Sequence, residues 1–467
     1  METSILNKFK SRFIGDRNFY KKVVVIALPI MLQNGITNFV TLLDNIMVGR
    51  IGTEQMSGVS IVNQLLFILL LCLFGASSGA GILGAQFYGK GDMEGVRNVF
   101  RIKLIMSAVI VTLAVAVLWL FSDPLISLYL HEGSSAGDLD ATLRYGHDYL
   151  RLMLITQIPL AIEMSYSSTL RESGETSVPM KASVVALLIN LVLNYILIYG
   201  KLGFPVLGVR GAALATIISR IIQASIVIIW SHTHSDRVPY FSGVYKSLLI
   251  PGKLVGRVLI LTFPIMMNET LWSSAVATQT ALYSTRGLAA VAALNINSTI
   301  GNVFNIVLIA LGDSVAIIVG QQLGAGKIEE GKQTAYRIIF ASISVCFIIG
   351  SLMFITAPLF PLVYNTSSEV RRIATYMIRI NACMMPFQAF LHSAYFTIRS
   401  GGKAFVTFIF DSGFMWIVAI PFAFVLTKFT MLPIVPVYMF CQLPDILKSV
   451  MGFLIMKRGN WARNIAR

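Results

Sequence analysis

Apolar runs long enough to cross a lipid bilayer recur along the whole chain, and nothing else restricts its fold so strongly. A spanning helix needs about 20 apolar residues. Such runs fall at 23–47, 58–83, 104–121, 149–169, 178–199 and 208–230, and again at 258–285, 289–319, 335–360, 373–398, 405–427 and 432–456. Only 13% of residues are charged and 56% are hydrophobic, a balance that excludes an ordinary soluble enzyme because a folded soluble domain must keep a wetted polar exterior. Lipid offers the backbone no hydrogen bonds, so each span must satisfy its own peptide groups, and the alternating ten-residue strands of a membrane barrel are absent. The predicted fold is all-α, a polytopic membrane protein of twelve transmembrane helices. The first run is too long for a cleavable signal, lacks a small-residue cleavage site and is followed by further spans.

The net charge of +15 points to orientation rather than to nucleic acid, because the cations alternate between connections instead of clustering on one face. The amino terminus, the even-numbered connections and the tail hold 25 Lys and Arg, among them Lys8, Lys10, Arg97, Arg101, Lys103, Arg171, Lys327, Arg399 and Arg467. The odd-numbered connections hold eight: Arg50, Arg144, Lys201, Arg210, Arg286, Arg371, Arg372 and Lys428. Both termini are therefore expected in the cytoplasm of a cell with this protein in its plasma (inner) membrane. The third connection, with Asp123, Glu132, Asp138 and Asp140 against a single Arg144 and no Lys, is expected outside. Cys72, Cys346, Cys383 and Cys441 all fall in apolar spans, where they read as small hydrophobes, and the five His show no metal-ligand spacing.

The chain repeats itself. GAQFYGKGDMEGVRNVFR, from Gly84 to Arg101, returns as GQQLGAGKIEEGKQTAYR, from Gly320 to Arg337, with Gly84, Gln86, Gly95 and Arg101 matching Gly320, Gln322, Gly331 and Arg337 at an offset of 236. TLRESGET from Thr169 and TIRSGGKA from Thr397 share T-x-R-x-x-G at an offset of 228. Two pairs in register predict two homologous six-helix lobes, 1–230 and 258–467, joined by a cytoplasmic linker, 231–257.

A carboxylate at bilayer depth costs at least about 2.5 kcal/mol on insertion scales, so each one retained there is a candidate for handling ions or substrate. Asp44, Glu163, Glu269, Asp313 and Asp411 occupy such positions. Asp445 and Lys448, three apart, are predicted to form a salt bridge on one helix, while Arg220 and Arg379 neutralise a carboxylate or reach toward an interface. In the run LLINLVLNYILI, Asn190 and Asn194 stand four apart and so share a helical face. Their amide oxygens suit a hard cation such as Na+, and equally suit hydrogen bonds to neighbouring helices.

LPIMLQNGITNFVTLLDNIMVGRIGTEQMSGVS, the Gln-Gly-rich turns at Gln86 and Gln322, FPIMMNETLW and LRESGET resemble, in order and over nearly the whole chain, the bacterial branch of the multidrug and toxic compound extrusion (MATE) family. The resemblance implies antiport: an inward Na+ or H+ gradient drives efflux of amphipathic, often cationic drugs by alternating access of two lobes. It implies no cofactor, no enzyme activity, a monomer in the lipid bilayer and no nucleic-acid partner. Carried over by position, its cation-coupling residues are Asp44, Asn190, Asn194 and Thr216 in the amino half and Glu269 in the carboxy half, with Na+ held at Asp44 or Glu269. Asn194 stands where many relatives carry Asp, so a two-carboxylate proton relay is lost there. The Asp that some branches carry on the tenth helix has no counterpart between 385 and 393, and Asp411 is our candidate to replace it. Glu163, Met266, Trp272 and Phe304 are candidates for the substrate cavity. The alternatives are a flippase of a lipid-linked precursor, which needs several deep Arg where only Arg220 and Arg379 are available, and an intramembrane transferase, whose paired acidic metal motifs are missing.

Overall fold

The computed structural model describes residues 12–127, 139–247 and 249–467; Lys8, Lys10, Glu132 and Asp138 lie outside the described residues. Twelve long helical segments follow one another among them: α1 (Arg17–Gly49), α2 (Thr53–Lys90), α3 (Met93–Leu120), α4 (Leu139–Ser173), α5 (Ser177–Tyr199), α6 (Val209–Thr233), α7 (Gly252–Ser284), α8 (Leu288–Gly324), α9 (Ile328–Thr356), α10 (Ser368–Ser400), α11 (Ala404–Phe429) and α12 (Ile434–Arg458). No strand occurs among the described residues. Ten of the twelve are long and apolar enough to cross a membrane. The other two, α4 and α10, are 35 and 33 residues long but carry Arg144, Asp148, Arg151 and Glu163, and Glu369, Arg371, Arg372 and Arg379, respectively. Each packs along two other long helices, α4 on α3 and α6, α10 on α8 and α9, so protein rather than lipid covers much of its length.

The repeat extends to the prolines. Pro29 in α1 and Pro264 in α7, and Pro159 in α4 and Pro386 in α10, are the interior prolines of four long helices. Each removes one i→i−4 hydrogen bond and so marks a place where the helix can bend. The chain resolves into two compact units. One comprises Met1–Met31, Ala85–Gly91 and Met267–Arg467, and the other Leu32–Gly84 and Asp92–Met266. The boundaries in α1 and α7 each fall two residues beyond the proline.

The turns repeat as well. Gly91 and Gly326 hold φ of +82° and +79°, a left-handed conformation that L side chains rarely adopt, and Gly174 and Gly402 of the T-x-R-x-x-G pair hold +96° and +79°. In the unit that contains them both, the ends of α2 and α8 meet backbone to backbone: a Cβ on Gly89 would lie 1.9 Å from Gln321 O, and one on Gly324 would lie 1.9 Å from Gln86 O. This reciprocal contact pairs residues 235 apart and makes Gln321, rather than Gln322, the counterpart of Gln86. The offset of 236 holds only after the turn, because GKIEEG between Gly326 and Gly331 has one residue more than GDMEG between Gly91 and Gly95.

Around that crossing, Gln86 is fully buried and donates to Ser400 O at 2.8 Å and Arg463 O at 3.0 Å, while Ile465 N donates to Gln86 Oε1 at 2.7 Å. Lys90 Nζ donates to Ala466 O at 2.8 Å, so the chain's last residues are strapped to the end of α2. In the other unit, wholly buried Lys103 donates to both Glu172 oxygens, at 2.6 and 2.8 Å, and to the hydroxyls of Ser168 and Thr169 at 3.0 and 3.1 Å. Gly81 and Gly84 make room for this carboxylate, since a Cβ on either would lie 2.3 Å from one of its oxygens.

Candidate functional site

Four residues singled out in the amino half form one chain of hydrogen bonds. Asn190 and Asn194 are buried on one face of α5, as their spacing predicts. Asn194 Nδ2 donates to Asp44 Oδ1 of α1 at 2.5 Å and to Asn190 Oδ1 at 3.0 Å. Asn190 Nδ2 points to Thr216 Oγ1 of α6 at a long 3.5 Å, and the Thr216 hydroxyl donates to Ala212 O at 3.0 Å. Asn194 Oδ1 is buried and has no hydrogen-bond partner. Leaving a buried acceptor unpaired costs about 1–3 kcal/mol, and next to a carboxylate it is an oxygen that an incoming cation or hydroxyl donor would satisfy.

The same α5 face carries a second polar tier that the sequence analysis missed. Ser183 Oγ accepts from Gln33 Nε2 of α1 at 3.2 Å and from Gln223 Nε2 of α6 at 3.1 Å, and Arg220 Nη1 donates to Gln223 Oε1 at 3.1 Å. Ser183 precedes Asn190 by two helical turns, and that periodicity was the available signal. Arg220 is thereby tied to an amide.

In the carboxy half, Glu269 and Asp411 belong to one network whose hub, Asn268, was not anticipated. Asn268 Nδ2 donates to Asp411 Oδ2 at 3.0 Å and to the Tyr395 hydroxyl at 3.2 Å, and that hydroxyl donates to Glu269 Oε1 at 3.4 Å. Ser412 returns its N–H to Asn268 Oδ1 at 3.2 Å and its hydroxyl to Asn268 O at 2.7 Å. The backbone here is irregular. Asp411 lies in a π-helical turn, Ile409–Gly413, followed by a second, Met415–Ala419, and α12 breaks at Cys441 and Gln442 before restarting at Leu443. Single π turns concentrate at functional sites, and discontinuous spans are where transporters hold ions.

The predicted Asp445–Lys448 bridge is corrected. Lys448 Nζ lies 2.6 Å from Asp411 Oδ1, and Asp445 Oδ2 instead accepts from Gln388 Nε2 of α10 at 2.7 Å. The spacing does put both residues on one side of α12, but the π turns of α11 present a competing, partly buried carboxylate across from them.

The remaining candidates are dispersed. Glu163 is buried and accepts from Ser167 Oγ at 2.5 Å within α4. Met266 is closely packed, with a Cβ on Gly75 lying only 2.8 Å from its Cα. Trp272 is 40% exposed. Phe304 meets Phe360 edge-on at 6.3 Å beside the buried cluster that α7 to α12 build. Arg379 lies over the Phe354 ring at 5.2 Å.

Two sets of six helices with repeated interior prolines and turns, each with acidic side chains held in a network of amides and hydroxyls, define a polytopic membrane transporter. The MatE profile matches residues 29–196 and 264–425, and the chain belongs to the MatE family, whose members are transporters and not enzymes. The probable multidrug resistance protein NorM of Thermotoga maritima is 23% identical over 447 residues, covering 95% of this chain and 93% of that one. The probable multidrug resistance protein YoeA of Bacillus subtilis is 25% identical, covering 90% and 89%. Among solved structures, the Vibrio cholerae MATE transporter VcmN, solved as a point mutant, superposes with a TM-score of 0.86 at 19% identity, covering 96% of this chain and 98% of that one. A MATE in the bent conformation superposes with a TM-score of 0.85 at 19% identity, covering 95% and 96%.

Proposed function

We propose that the protein exports amphipathic, often cationic organic compounds across the plasma membrane, driven by inward movement of Na+ or H+, with both termini in the cytoplasm and the chain working as a monomer. The two halves, 1–230 and 258–467, work by alternating access, and 231–257 links them. The observation that carries this reading is the hydrogen-bonded row Asp44–Asn194–Asn190–Thr216 with an unpaired oxygen at Asn194. It offers a carboxylate and three neutral oxygens, the ligand chemistry of a small hard cation, and one carboxyl that can take a proton instead. Asn194 contributes no titratable group, so Asp44 alone supplies the negative charge of the row.

In the outward-open state Asp44 or Glu269 takes the coupling cation, which weakens its hold on a cationic compound in the cavity, and the compound leaves. One monovalent ion moving down 100 mV supplies about 2.3 kcal/mol, enough for a roughly 50-fold gradient of a neutral compound. The flippase alternative gains no support, because Arg220 is bound to Gln223 and Arg379 lies over Phe354. The test is efflux of a cationic dye from vesicles with Na+ and pH gradients imposed independently. The reading predicts export with one of the two gradients and none without; export indifferent to both would refute it.

A further inference from the structure

Among the described residues Lys448 is the one cation in the carboxy-half network that forms a salt bridge with a carboxylate, and it occupies Asp411, our candidate for the carboxylate missing from the tenth helix and a member of the same network as Glu269. It is 6% exposed, with Nζ 2.6 Å from Asp411 Oδ1. A buried ammonium and an external cation cannot both be neutralised by one carboxylate without leaving a charge uncompensated in a low-dielectric site. Any monocation that takes Asp411 must therefore displace Lys448.

A displaced lysine needs a second carboxylate within reach, and the structure has one. Asp445 lies three residues back on the same helix, within one turn, in the spacing at which helical side chains meet. Gln388 holds its Oδ2 at 2.7 Å, and its other carboxylate oxygen has no hydrogen bond among the described residues. The lysine stem is long and flexible enough to swing between two such partners. The backbone on both sides is interrupted, by the π turns around Asp411 and the break at Cys441 and Gln442.

We propose that Lys448 is a tethered competitor cation that holds Asp411 when the site is empty of cargo and moves to Asp445 when a lipophilic organic monocation takes its place. Asp411, Asp445 and Lys448 together carry one net negative charge, so the exchange admits one monocation. Release follows the reverse path: the lysine returns to Asp411 and expels the bound cation without any change of protonation. This inference rests on the export reading.

The test is equilibrium binding of tetraphenylphosphonium to the full chain in lipid nanodiscs, with the same preparations assayed for efflux in vesicles. Lys448→Gln removes the competitor and is expected to tighten binding about tenfold or more while slowing export, because the bound cation is no longer expelled. Asp445→Asn removes the second station and is expected to weaken binding about tenfold. In the double variant the Asp445 effect should vanish, leaving affinity within about threefold of Lys448→Gln. A static bridge predicts that the two substitutions act independently, so an additive double variant, or unchanged or weaker binding in Lys448→Gln, overturns the proposal. Should Lys448→Gln fail to fold, Asp445→Asn decides alone, and unchanged affinity there overturns it. Absence of gradient-driven efflux by the wild-type protein would overturn the export reading; wild-type efflux with no tightening in Lys448→Gln would overturn only the exchange.

Discussion

Replacing Gly89 by Ala adds one methyl group at the point where α2 and α8 touch through their backbones. The new Cβ would stand 1.9 Å from Gln321 O and 2.5 Å from Gln321 C, whereas real Cβ contacts essentially never fall below 3.0 Å. The helices must therefore separate by at least about 1.1 Å, and neither side can yield by rotating a side chain because both are main chain. Overpacking of this kind costs about 1–3 kcal/mol, which shifts the equilibrium between the closed and separated crossing by roughly 5- to 150-fold. Hydrogen exchange of the purified protein in nanodiscs reads that shift as faster exchange in Ala85–Gly91 and around Gln321 and Gly324. Gly324→Ala should give the same pattern, since its Cβ would lie 1.9 Å from Gln86 O, and the double variant should cost less than the sum because one separation relieves both clashes. Gly256→Ala is the control: nothing lies within 4 Å of its added Cβ, so it should leave exchange at the crossing unchanged. Wild-type exchange at the crossing in Gly89→Ala would refute the argument from close approach.

Glu172→Gln leaves Lys103 buried with its counter-charge removed, and breaking such a pair costs about 3–5 kcal/mol, to be read as a large drop in thermal midpoint in detergent. An unchanged midpoint would mean that water reaches Lys103. Gln86→Ala removes the two hydrogen bonds that hold the tail at Arg463 and Ile465, together with one to Ser400 O, and limited proteolysis should then clip the carboxy-terminal tail at least tenfold faster than in wild type. Asn194→Ala removes both the donor to Asp44 and the unpaired oxygen, and should weaken binding of the coupling cation about tenfold, measured as the Na+ or H+ concentration giving half-maximal efflux.

Much of the fold was legible because lipid leaves the backbone few options: every predicted span has a helix, and the two repeated Gly-rich stretches hold turns, at Gly91 and Gly326. Apolarity alone understates α4 and α10, which carry charged residues along their length yet pack against neighbouring helices. The amino-half row could be assembled from position, since Asn190 and Asn194 declare a shared face and the family resemblance supplied Asp44 and Thr216. Asn268 was hidden beside the more conspicuous Glu269, and nothing local in α11 announces two π turns, whose side chains Asp411 and Trp416 find their partners on α7 and α12, far away in sequence. The lysine partner was misassigned for a related reason. Spacing along one helix can be read from sequence, but which of two carboxylates wins Lys448 depends on a neighbouring helix, and pairing across helices leaves no periodic trace.

The central claim is that acidic side chains held among amides and hydroxyls, rather than the apolar bulk of the bundle, couple an ion to export. Its most direct test is efflux of a cationic dye from vesicles under an imposed gradient, comparing wild type with Asp44→Asn and Glu269→Gln at matched protein content. At least one variant should lose gradient-driven efflux entirely while keeping wild-type thermal stability. Full efflux by both single variants would contradict the account.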